Sequence, residues 1–245
     1  MLRTLSAALV LAFGLAAPAA NAAMPDYITK AVGDPSRPAD HRDLDGHRKP
    51  AETIAFAGVE PGMTVGEFLP GGGYYTRLLS DVVGPKGKVY ALETTRWGKD
   101  NIEATKKGIA GLKNVTLDLS PFGAFNLPEK VDVFWTTLNY HDLHIEKYGK
   151  VDMAAFNKHV FASLKPGGIY FIVDHMAAPG SGEAAPPALH RIDKAIVVKE
   201  VEGAGFKLVG ESDILKNPAD DHTKSVFDKS IRGKTDQFIL KFKKP

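Results

Sequence analysis

The sequence predicts an α/β fold: a seven-stranded, mostly parallel sheet with an antiparallel last strand and helices on both faces. Three observations carry that reading. From Gly62 onward, short β-rich runs alternate with stretches of helical periodicity, the pattern of a parallel sheet covered on both sides. Most of the runs are continuously apolar rather than alternating, as strands buried on both faces require. The first run passes through three glycines directly into a helical stretch, a strand–turn–helix joint suited to holding a ligand.

In chain order, residues 1–22 read as a secretory leader. Arg3 precedes an apolar run, 5–17, that is too short to span a bilayer, and Ala20-Asn21-Ala22 offers small residues where a signal peptidase cleaves. The mature chain is therefore expected to begin at Ala23, exported to the periplasm, with no stable membrane insertion after cleavage. Residues 23–50, rich in Pro, Asp, Arg and His, read as an arm or lid. Its dense polar set, Arg42, Asp43, Asp45, His47, Arg48 and Lys49, favours an ordered lid over a solvated leader.

One domain, 51–245, follows, opening with a helical stretch at 51–58. Strands are expected at 64–69, 88–93, 115–119, 131–138, 169–174, 207–212 and 237–242. Helical spacing joins Tyr75, Leu78, Leu79, Val82 and Val83, then Met153, Phe156, Val160 and Leu164, and then Leu189, Ile192 and Ile196. Gly84, Gly167 and Gly205 stand at or just past helix ends. Between the last two strands lies a polar stretch, 216–236, without a helical stripe, so those strands are expected to pair antiparallel at one end of the sheet.

Composition excludes some functions. With no cysteine the chain has neither thiolate chemistry nor a Cys-zinc site. Lys+Arg 31 against Asp+Glu 29 is a poor footprint for nucleic acid, which is not expected as a partner.

The chemistry begins at Val65-Gly66-Glu67-Phe68-Leu69-Pro70-Gly71-Gly72-Gly73-Tyr74-Tyr75-Thr76. Glycines let backbone approach a ligand closely, and the helix beyond offers free N–H groups. Glu67 beside the loop disfavours a pyrophosphate and suits a cationic amino-acid head group, which points to an aminoacyl nucleoside rather than a dinucleotide. Glu93 ends the second strand one βαβ unit later, where an acid can accept hydrogen bonds from both ribose hydroxyls.

Here the chain resembles the class I S-adenosylmethionine-dependent methyltransferases, with their Rossmann-like domain, and more narrowly their exported bacterial branch. The resemblance extends to Gly58-Val59-Glu60-Pro61-Gly62, Asn139-Tyr140-His141-Asp142 and Leu164-Lys165-Pro166-Gly167-Gly168. It implies S-adenosylmethionine as cofactor, its methionine part held by Glu67, Gly71 and Gly73, its ribose by Glu93, and its adenine contacted by Ser120 or Asp118, with Phe122 able to stack on the base. Tyr74, Thr76 and Asn139 complete the expected cofactor site. The chain departs from the family pattern at Leu69, where the first glycine usually stands, and at Pro70.

Polar residues crowd the expected carboxyl ends of the strands, where open α/β sheets bind ligands. Asn139, Tyr140, His141, Asp142 and His144 follow the fourth strand, Asp174 and His175 the fifth, and His190, Arg191 and Asp193 open the next helix. Methyl transfer asks the protein to align an acceptor and remove its proton. His141, as a neutral imidazole, is the expected base, with Asp142 orienting it and His190 second. A divalent metal on Asp142, Asp174, His175 and His190 is the alternative; the reading adopted assigns no metal.

The expected activity is methyl transfer from S-adenosylmethionine to a small-molecule or envelope acceptor. The alternative is an exported protein that binds or senses an adenosyl ligand without transferring methyl.

Overall fold

The computed structural model describes residues 23–245; the expected leader lies outside the described residues. Among those described, no helix is long and apolar enough to cross a membrane.

Residues 23–57 form four helices, α1 (Asp26–Val32), α2 (Ala39–Arg42), α3 (Asp45–Arg48) and α4 (Pro50–Ala57). Then β1 (Thr64–Phe68), α5 (Tyr74–Val83), β2 (Lys88–Thr94), α6 (Lys99–Ile109), β3 (Val115–Ser120) and β4 (Val131–Thr137) follow. The chain ends with α7 (Met153–Ser163), β5 (Leu164–His175), α8 (Ala185–Leu189), α9 (Lys194–Gly203), β6 (Lys207–Ser212) and β7 (Gln237–Lys243).

The seven strands form one sheet in the order β3-β2-β1-β4-β5-β7-β6. Every pair from β3 to β5 is parallel, while β7 runs antiparallel to both β5 and β6. All seven expected strands form; the central ones are buried apolar runs, while β3 and β6 at the two edges of the sheet carry polar residues as well. β5 starts at Leu164 rather than near 169, since Leu164 pairs with Val131 across a bulge before the regular register resumes at Ile169.

Side chains alternate across the sheet and build two cores. Phe134, Tyr170 and Ile172 pack on one face with Phe156 and Val160 of α7 and Val197 and Val201 of α9. Trp135, Phe171 and Val173 pack on the other with Ile28 of α1, Ile54 of α4 and Leu78 and Leu79 of α5. The polar arm is thus anchored by a few apolar residues: Ile28 is fully buried.

One expected helix is corrected. Leu189, Ile192 and Ile196 do not share a helix: α8 ends at Leu189, His190 turns left-handed at φ 54°, and Ile192 bridges to Met176 before α9 begins. The spacing was fortuitous, because Ile192 is buried by strand-like pairing, which leaves the same apolar mark in a sequence.

Candidate active site

The strand order reverses beside β1, and the site lies beyond the carboxyl ends of β1, β2, β4 and β5. β1 delivers Glu67, which is buried, with Oε2 lacking any hydrogen-bond partner among the described residues. Burial pushes its carboxyl up to about 7; Thr76 opposes this, the nearby Glu93 carboxylate adds to it, and Arg48 offsets it in part.

Leu69, the residue after β1, takes the left-handed conformation (φ 53°) that glycine would favour and donates its N–H to the Leu92 carbonyl at 2.9 Å. Leu138, the residue after β4, does the same (φ 59°), donating to Val173 at 2.8 Å. Two strained non-glycine residues on adjacent strand ends mark a place where the fold stores strain beside a ligand site. The loop itself presses on α6: a Cβ on Gly108 would lie 2.2 Å from the Gly72 carbonyl oxygen. Gly71 and Gly72, by contrast, face open space.

Three cavities meet along this edge. The first, of 380 Å³, is lined by Glu67, Gly71, Gly72, Tyr74 and Asn139, with His41, Leu44 and Arg48 of the arm on its other side. The arm is fastened there by Asp45, which accepts two hydrogen bonds from Arg37 (2.7 and 2.8 Å) and one from the Tyr74 hydroxyl (2.7 Å). The Arg48 guanidinium stands 4.3 Å from the Tyr74 ring centre. The second cavity, of 210 Å³, shares Leu69, Gly71, Gly72 and Asn139 with the first and adds Glu93, Trp97 and Asn101. Glu93 accepts from the Thr94 amide (2.8 Å) and the Thr105 hydroxyl (2.9 Å), so its carboxylate is held in one orientation. Asn139 ties the two strand ends together, its amide donating to the carbonyls of Leu69 (3.0 Å) and Thr137 (2.7 Å).

The third cavity, of 310 Å³, is lined by Trp97, Leu138, Tyr148 and Phe227 and by a polar cluster, His141, Asp142, His175 and His190. Asp174, fully buried, accepts from the His141 amide (2.7 Å) and holds its Nδ1 at 2.7 Å. On the other side of the ring, Nε2 lies 3.3 Å from Oδ1 of Asp142, which also faces Nδ1 of His190 at 3.4 Å.

Burial disfavours the His141 imidazolium, but Asp174 and Asp142 outweigh it and raise His141 to about 10. Burial likewise works against the Asp142 carboxylate, yet His141 and His190 bring it down to about 2. His175 is lowered to about 3 by burial, and its Nδ1 sits 2.7 Å from the Thr235 hydroxyl. Where the sequence suggests a neutral His141, the two carboxylates beside it favour the imidazolium, while burial favours the neutral form of His175.

Of the expected site residues, Glu67, Gly71, Tyr74, Glu93 and Asn139 line the first two cavities, and His141, Asp142 and His190 line the third. Gly73, Thr76 and Ser120 line none of the three. Gly73 caps α5 at φ 80°, Thr76 is buried beside Glu67, and Ser120 donates to Asp118 at 2.7 Å and accepts from Asn126 at 3.1 Å. His190 stands in the left-handed turn before α9, and Asp193 caps that helix by accepting from Ala195. Sequence reasoning missed His41, Trp97, Asn101 and Phe227. Trp97 follows directly after β2, a placement that could have drawn attention to it; the other three carry no local signal.

No family model matches the chain, and no curated protein matches it in sequence. Its fold is that of solved methyltransferases. A SAM-dependent methyltransferase from Aquifex aeolicus superposes with a TM-score of 0.60 at 23% identity, over 84% of this chain and 98% of that one. An S-adenosylmethionine-dependent methyltransferase from Mesorhizobium loti gives 0.57 at 13% identity, over 82% and 100%. Fibrillarin from Aeropyrum pernix, solved with natively bound S-adenosyl-L-methionine, gives 0.54 at 14% identity, over 81% and 76%. The chain therefore has the class I methyltransferase fold: seven strands with the β7 reversal, and helices on both faces.

Proposed function

We propose that the protein transfers a methyl group from S-adenosylmethionine to a small-molecule or envelope acceptor held in the third cavity. The observation that carries this reading is Glu67: a buried carboxylate with an orphaned oxygen, facing a cavity that continues past two open glycines to Glu93. An unpaired buried carboxylate oxygen is costly unless a ligand satisfies it, and an α-ammonium group is its natural complement. Glu93, one cavity further, is placed for a ribose diol. The distance between the two acids is spanned by glycines, which leaves room for the ligand rather than side chains.

The cofactor, when bound, supplies an electrophilic methyl on a positively charged sulfur. The protein's part is to exclude water and align the acceptor. The arm supports the first task, with Leu44, His41 and Arg48 lying over the aminoacyl end. The third cavity supports the second: aromatic walls at Trp97, Tyr148 and Phe227 offer flat apolar contact, while Asp142 and its two histidines hydrogen-bond the polar group of the acceptor and orient it. Export to the periplasm is part of the proposal and rests on the leader-like residues 1–22; protein recovered from the host should begin at Ala23.

The test is calorimetry of residues 23–245 with S-adenosylhomocysteine and NAD. We expect the homocysteine ligand to bind and NAD not to bind. Gly71→Val and Glu93→Ala should each weaken binding at least about tenfold, which is ~1.4 kcal/mol. Unchanged affinity in both variants would overturn the reading.

A further inference from the structure

The spacing inside the His141–Asp142–His190 cluster is not that of an optimised ion pair. Charge-assisted N–H···O hydrogen bonds close to about 2.7–2.9 Å, and His141 does so with Asp174 at 2.7 Å. Toward Asp142 it does not: Nε2 stands 3.3 Å from Oδ1, and Nδ1 of His190 stands 3.4 Å from the same oxygen. Ligands bound at roughly 2.0–2.1 Å around a tetrahedral ion are separated from one another by about 3.3–3.4 Å. One ligand atom from each of the three residues lies within 4.8 Å of those offered by the other two.

We infer that His141 Nε2, Asp142 Oδ1 and His190 Nδ1 form a binding site for a divalent transition-metal ion of the zinc type. Two imidazoles and one carboxylate select such an ion over magnesium or calcium, which favour all-oxygen sets. The support behind the ligands fits as well. Asp174 holds the far ring nitrogen of His141, the carboxylate–histidine arrangement that fixes which nitrogen faces a metal. His190 is turned into the cavity by a left-handed backbone (φ 54°) that a histidine adopts only at a cost, here with its ring braced edge-on against Phe227. Three protein ligands leave at least one position of a tetrahedral ion facing the 310 Å³ cavity, open to an acceptor hydroxyl or amine.

This deepens the reading of the third cavity as the acceptor site, but ion binding does not require that methyl transfer occur. The two can therefore fail separately. The nearby His144, Glu183 and Glu200 form a second cluster with one imidazole and two carboxylates, of which Glu183 is largely exposed; it serves as the control.

The experiment is titration of the chelator-stripped protein with Zn²⁺ by calorimetry, and with Co²⁺ by visible absorption. One ion per chain is expected for the parent and for Glu183→Gln. His190→Asn, chosen because asparagine tolerates a left-handed backbone, should weaken Zn²⁺ by more than about a hundredfold, beyond the cost of losing a supporting partner. The ion-free melting temperature should stay that of the parent. Asp142→Asn should do the same and covers the case in which the His190 variant does not fold. Absence of Zn²⁺ and Co²⁺ binding in the parent would overturn the inference. So would unchanged affinity in both Asn variants, or loss of binding in Glu183→Gln alone.

Discussion

Glu67→Gln separates what the buried carboxylate does for a ligand from what it costs the fold. In the ligand-free protein Glu67 titrates at about 7 against an ordinary value of 4.5, chiefly because burial disfavours its charge. A carboxyl raised in the folded state binds more protons folded than unfolded between those two values. Its contribution to stability is therefore best below pH 4.5, falls as pH rises toward 7, and stays at its lowest above. The gap amounts to roughly 3 kcal/mol at about 1.4 kcal/mol per pH unit. Glutamine has the same shape without the charge, so Glu67→Gln should raise the melting temperature by several degrees at pH 8 and by almost nothing at pH 4. Binding should move the other way. Losing one charge-assisted hydrogen bond costs about 1.5–3 kcal/mol, so S-adenosylhomocysteine affinity at pH 8 should fall roughly tenfold to a hundredfold. In the parent, affinity should decline about tenfold per unit as pH drops below 7, because the carboxylate must ionise to meet an ammonium group, and the variant should lack that slope. Melting curves and calorimetry at pH 4, 6 and 8 read all three. An equal shift in melting temperature at pH 4 and pH 8, or an affinity unchanged by the substitution, would refute the reasoning.

Two further predictions follow from packing. Gly108→Ala places a methyl against the Gly72 carbonyl, which must move; overpacking of this kind costs about 1–3 kcal/mol. The displaced loop should weaken S-adenosylhomocysteine at least about tenfold, as calorimetry would show, while Gly203→Ala, whose added Cβ meets nothing within 4 Å, should spare the ligand. Arg191 is fully buried, paired with Asp220 at 2.9 Å and donating to the carbonyls of Met176 (2.9 Å) and Lys224 (2.8 Å). Arg191→Ala should cost about 3–5 kcal/mol in urea unfolding. Because the segment it holds carries Phe227 against His190, turnover should fall more than cofactor affinity.

Much of the fold was legible because its signals are local. Most of the strands announce themselves by an apolar run of the right length, and the glycine loop with Glu67 and Glu93 stands out by its spacing. Leu69 is instructive: the sequence departs from the glycine expected there, yet the backbone still takes the left-handed turn, with the Leu92 carbonyl holding its N–H. The Ile192 error has the opposite cause, since burial leaves the same mark in a sequence whether a helix or a bridge produces it.

The sequence by itself determined the set of strands, the α/β class, and which acids and glycines stand at strand ends, since these depend on residues within a few positions of one another. Only the tertiary structure decided the charge of His141, because Asp174 lies 33 residues away and reaches it only once β4 and β5 pair. It alone brought His190 to Asp142 and laid His41 and Arg48 over Glu67. Those partners meet through sheet register and helix packing, and neither leaves a trace in the spacing of the side chains involved.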